Sequence, residues 1–164
     1  MITPLIVISI LLVPLLGAWM FGGPDKARLG GLLGISLAFA FFGIGHFAQT
    51  DAMVAMLPDI IPARRPLVLL TGVLELAIAI GFLLPRTRKF AGLAAIGVLI
   101  GFFPANIDAA LNHTGMGGHV WGPEYLLIRL PLQVLLVVWT WTFAVRPKGE
   151  ARAPVFQKLK PPTI

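Results

Sequence analysis

Residues 67–84 read Leu-Val-Leu-Leu-Thr-Gly-Val-Leu-Glu-Leu-Ala-Ile-Ala-Ile-Gly-Phe-Leu-Leu, and Glu75 carries the only charge in the run. At about 1.5 Å per residue this stretch comes close to the roughly 30 Å of a bilayer's hydrocarbon core. A carboxylate at that depth is expensive, and chains keep one where it has a partner or a task. The partner of Glu75 must then come from another helix.

The rest of the chain has the same character. Of its 164 residues 57% are hydrophobic and 12% charged, about half the charge of an ordinary soluble domain. The apolar residues fall in blocks, which is the pattern of a polytopic membrane protein. Five spans are expected, over residues 2–21, 29–48, 67–84, 90–112 and 125–145. The fold class is therefore all-α, a membrane helix bundle over residues 1–146 followed by a basic, Pro-containing tail over 147–164. The first span lacks the basic flank and small-residue cleavage site of a signal peptide and is read as a true span.

The chain has no cysteine, which excludes disulfide exchange, thiolate metal sites and cysteine nucleophiles. Its net charge is +6, but the cations sit at span ends, where they meet lipid head groups rather than nucleic acid. Lys26, Arg28, Arg86, Arg88, Lys89, Arg146, Lys148, Arg152, Lys158 and Lys160 share one side of a five-span topology; Arg64 and Arg65 lie on the other. By the positive-inside rule the N-terminus is outside and the C-terminus cytoplasmic. Trp121 and Tyr125 then mark the outer interface, and Trp19, Trp139 and Trp141 the inner one.

This topology assigns depths. Glu75 lies about 12 Å below the outer surface. Arg129 and Gln133 share one helix face by their four-residue spacing. Asn106 and Asp108 occupy the last third of span four, Thr71 a turn above Glu75, and His46 the outer end of span two. All seven fall in the outer half, as expected of a shared outward-opening pocket in which Glu75 and Arg129 form the ion pair. The competing reading is a buried pair that only fixes packing, with Asn106 and Gln133 bonding across helices. Pro104 and Pro131 should kink their helices and free carbonyls near Ile100 and Leu127. Gly43, Gly45 and Gly72 permit close helix approach. Residues 49–66 carry Met53, Met56, Leu57 and Ile60 at helical spacing, broken by Pro58 and Pro62. They are read as an amphipathic interfacial piece, either a lid or a connector.

His113 and His119 flank a Gly-rich loop containing a methionine, a weak copper-type donor set with no recognised metal spacing. His46 is read as a structural or relay histidine rather than a haem ligand. No phosphate loop, HExxH or nucleophile elbow is present, and no catalytic residue is assigned.

Six segments in order carry a family resemblance: His46-Phe47, Met-Leu-Pro at 56–58, Leu-Thr-Gly-Val-Leu-Glu-Leu at 70–76, Leu-Pro-Arg-Thr-Arg at 84–88, Phe-Pro-Ala-Asn-Ile at 103–107 and Arg-Leu-Pro-Leu-Gln at 129–133. Over residues 29–142 the chain resembles the DoxX-like family of small bacterial membrane proteins. The resemblance implies a four-helix core to which span one is an addition, and stresses Glu75, Asn106, Arg129 and Gln133. It also implies association with membrane redox complexes, after a subunit linked to thiosulfate:quinone oxidation, or with receptor-assembly chaperones in a distant branch. Without cysteine, a redox role requires a bound cofactor, such as a quinone, or a partner protein. Three functions follow: a subunit binding a quinone-like amphiphile, an assembly scaffold, and a small-molecule or proton carrier. The carrier ranks last because the inner halves show no polar track and no inverted repeat is evident. Lipids are the assured partners; homo-oligomerisation stays open.

Overall fold

The computed structural model describes residues 2–112 and 117–146, with the side chains of residues 24, 25 and 117–120 left out. His113 and the tail at 147–164 therefore lie outside the described residues, as does the side chain of His119. Among the described residues, five helices are long and apolar enough to cross a membrane. They include α1 (Ile2–Gly23), α2 (Lys26–Ala48), α4 (Arg64–Leu83) and α5 (Arg88–Leu111). Between α2 and α4 lies the short α3 (Thr50–Ala55). The fifth span, Trp121–Val145, contains the end of a 3₁₀ segment, then α6 (Leu126–Thr140) and a terminal π-turn (Trp141–Val145). The five expected spans are thus present, with ends displaced by a few residues.

Helix α1 runs into α2 through Gly23, whose backbone (φ 67, ψ −168) suits glycine, and doubles back against it. The contact is carried by Gly34, where a Cβ would stand 2.8 Å from the Leu11 carbonyl oxygen. Helices α2, α4, α5 and α6 close on one another around a core that includes Phe39, Phe82, Ala95 and Leu136, with α1 contributing Val7 and Leu11. Much of the remaining apolar surface, such as Val13, Met20, Leu70 and Leu127, is exposed as a lipid-facing protein requires.

Polar bonds between helices fix the bundle. Ser36 donates to the Ala79 carbonyl (2.8 Å) and Trp139 Nε1 to the Gly31 carbonyl (2.9 Å). At the end opposite α3, hereafter the basic end, Arg28 donates from Nε to Phe143 O (3.1 Å) and from Nη2 to Arg146 O (3.0 Å). Arg88 Nε donates to Phe82 O (3.1 Å). These arginines satisfy carbonyls that helix termini leave without intrahelical donors.

The segment between α2 and α4 departs from expectation. Only residues up to Ala55 are helical, because Pro58 withholds an N–H just beyond. Ile60, expected on the apolar face of one amphipathic piece, is instead 90% exposed and outside any helix. Two ion pairs fasten the segment to the start of α4: Arg64 to Asp59 (2.6 Å) and Arg65 to Asp51 (2.5 Å). Thr50 caps the end of α2 by donating to the His46 carbonyl (2.7 Å).

Candidate functional site

The site is built where α2 and α4 approach most closely. Gly43 and Gly72 face one another: a Cβ on Gly43 would stand 3.0 Å from Gly72 O, and one on Gly72 3.2 Å from Gly43 O. His46 and Glu75 each follow one of these glycines by three residues. Helical side chains lean toward their own N-terminus, so on antiparallel neighbours the two lean toward each other across this contact. His46 Nδ1 comes within 3.2 Å of Glu75 Oε2.

This pair corrects the expected one. The charged partner of Glu75 is His46, and no ion pair joins Glu75 to Arg129 among the described residues. The two charges are within electrostatic range, but Arg129 Nη2 donates to Asn106 Oδ1 instead (3.3 Å). The reason lies in axial register: His46 sits directly on the Gly43–Gly72 contact, whereas α6 reaches the site by way of α5.

Helix α5 supplies the connection. Its Phe102 ring lies 6.4 Å from the His46 ring, and its Phe102 carbonyl accepts from Asn106 Nδ2 (2.8 Å). One turn deeper along α6, Gln133 Nε2 donates to the Leu99 carbonyl. These two carbonyls flank Ile100, the position where Pro104 removes an intrahelical donor. Neither Pro104 nor Pro131 terminates its helix.

Five of the seven expected residues thus make contacts between helices: His46 with Glu75, Arg129 with Asn106, and Gln133 with the Leu99 carbonyl. Thr71 stays with its own helix, donating to Val68 O (2.8 Å). Asp108 is half-buried and makes no side-chain hydrogen bond or ion pair among the described residues. The Phe102 ring beside His46 comes from another helix, and nothing in the sequence spacing signals it. The shared Gly-x-x-His and Gly-x-x-Glu spacing was the available signal for the His46–Glu75 pair.

The hydrogen bonding is incomplete in an informative way. The Nδ1 proton of His46 is directed at the Phe42 carbonyl (3.0 Å), so Glu75 Oε2 has an ion-pair neighbour but no aligned donor. Glu75 is 5% exposed. Arg129 Nε is likewise buried without an acceptor among the described residues. One acceptor and one donor are therefore unsatisfied within a single polar cluster, where each such group costs about 1–3 kcal/mol.

Residues 35–144 match the family model described as a domain of unknown function, DUF8561. The chain belongs to the DUF8561 family. No curated protein and no solved structure matches it. The DUF8561 match contains every residue of the polar cluster, from His46 to Gln133, and leaves α1 outside.

Proposed function

We propose that this DUF8561 protein is an integral membrane subunit that binds a small amphiphile, quinone-like in having a polar head on an apolar ring and tail. The observation that carries this reading is the pair of unsatisfied buried atoms, Glu75 Oε2 and Arg129 Nε. A head group with one donor and one acceptor, such as the hydroxyls of a reduced hydroquinone, would complete both. Phe102, whose ring lies 6.4 Å from that of His46, offers apolar surface to the ring. The ordered DoxX-like segments support the same reading, with a four-helix core and a membrane redox partner. The test is an organic extract and visible spectrum of the protein purified in mild detergent. Near-stoichiometric quinone or another chromophore-bearing amphiphile is expected, with Glu75→Gln and Arg129→Met each depleting it. Absence of any such molecule would sink the proposal.

A scaffold role is the second reading. Asn106 and Gln133 favour it, since Asn106 accepts from Arg129 and Gln133 donates to the Leu99 carbonyl, both across the α5–α6 contact as interhelical glue does.

For orientation we propose a bacterial inner membrane with α3 outside and the basic end in the cytoplasm. Because the chain lacks cysteine, single reporters can be introduced cleanly. Ile60→Cys in intact cells should react with a membrane-impermeant maleimide, and Pro85→Cys only after lysis. The reverse pattern would invert the topology.

A further inference from the structure

Two atoms of the polar cluster set what a head group has to do there. Glu75 Oε2 is buried with no donor aimed at it, and Arg129 Nε is buried with no acceptor, among the described residues. The position of one proton follows from His46. Its Nδ1 faces the Phe42 carbonyl at 3.0 Å and Glu75 Oε2 at 3.2 Å. A carbonyl oxygen can only accept, so Nδ1 carries the proton and Glu75 stands beside it as an acceptor. Arg129 Nε can only donate, and Nη2 of the same side chain is already committed to Asn106 Oδ1.

Head-group classes separate against this pair. A carboxylate or phosphate offers acceptors to Arg129 but sets its own charge against Glu75. An ammonium suits Glu75 and is repelled by Arg129, which lies within electrostatic range of that carboxylate. An ether, an ester or an oxidised quinone is neutral but brings only lone pairs. Such a group completes Arg129 Nε and leaves Glu75 Oε2 bare. A hydroxyl serves both from a single oxygen, donating its proton to Oε2 and accepting from Nε. The Phe102 ring, 6.4 Å from the His46 ring, places an aromatic neighbour at the same spot.

Building on the amphiphile reading above, we infer that the cluster selects a phenolic hydroxyl, and so takes the reduced, hydroquinone member of a quinone couple in preference to the oxidised one. Leaving a buried acceptor bare weakens binding by roughly ten-fold or more. A ten-fold preference for the reduced form raises the two-electron potential of the bound couple by about 30 mV. The site thereby draws the couple toward its reduced form.

The experiment is isothermal titration of the full chain, delipidated in mild detergent, with two matched pairs of probes. One pair is a decyl-substituted benzoquinone and its hydroquinone, the latter kept reduced by anaerobic dithionite. The other is 4-decylphenol and 4-decylanisole, which need no reductant and differ only in a methyl group where the phenol has its proton. The hydroquinone and the phenol should each bind roughly ten-fold or more tighter than their counterparts. Glu75→Gln, whose amide can donate as well as accept, should erase both preferences, with thermal unfolding confirming that the variant folds. The comparison in the parent protein stands without it. Equal or tighter binding of either the quinone or the anisole overturns the hydroxyl preference and leaves an amphiphile site standing. Preferences that survive Glu75→Gln overturn it too, because the selecting acceptor is then another group. If none of the probes binds, the amphiphile reading itself falls and the preference falls with it.

Discussion

Replacing His46 with leucine while keeping Glu75 is expected to destabilise the protein by about 3–5 kcal/mol, read as unfolding in a detergent series. The substitution leaves a 5%-exposed carboxylate with no cation in contact, since Arg129 is committed to Asn106. The converse, Glu75→Met, should cost less. A neutral imidazole is cheaper to bury than a carboxylate, and His46 keeps its bond to the Phe42 carbonyl. Combining His46→Leu with Glu75→Met removes both polar groups and should recover most of the stability, as apolar replacement of buried pairs often does. The double variant also separates the two functional readings. Recovered stability without extractable amphiphile supports a ligand site; recovered stability with full partner association and no ligand in the parent supports a scaffold. If His46→Leu alone unfolds like the parent, the pair makes no net contribution to the bundle.

Gly72→Ala is the second large effect. A methyl group there would stand 2.7 Å from the His46 Cβ and 3.0 Å from the Phe47 ring, with Gly43 O at 3.2 Å. The Cβ and the carbonyl are fixed by backbone, so α2 and α4 must move apart. Overpacking of this kind costs about 1–3 kcal/mol, and the separation should also break the His46–Glu75 pair. Gly97→Ala is the control, because nothing lies within 4 Å of a Cβ there. It should be neutral, or stabilising by about 0.5–1 kcal/mol from reduced backbone freedom. Equal effects at the two positions would show that the Gly43–Gly72 contact is not tight.

The resolved partners change how the cluster works. With Arg129 as its partner, Glu75 would have been tied to α6, and the whole site would have depended on α6 being docked. With His46 as partner, the carboxylate belongs to the α2–α4 pair, and α5 and α6 form a second unit through the Arg129–Asn106 bond and the bond from Gln133 to the Leu99 carbonyl. The unsatisfied atoms are divided between them, Oε2 on the first and Nε on the second. A head group bonding both would join the two halves, so ligand binding should itself stabilise the bundle.

The sequence by itself determined the membrane class, the five spans and which polar residues lie within them. Each follows from one-dimensional quantities: the length of an apolar run against bilayer thickness, and the cost of a charge within it. His46, Glu75, Asn106, Arg129 and Gln133 were legible for that reason. Who bonds to whom was not. Pairing depends on axial register and on the lean of side chains between antiparallel helices, and register is set by where two glycines let backbones touch. Gly43 and Gly72 made that choice, and only the tertiary structure shows it. The same holds for Ile60, whose helical spacing could not reveal that the chain leaves the helix before Pro58. Charge alone made Arg129 the natural partner of Glu75; geometry gave that place to His46.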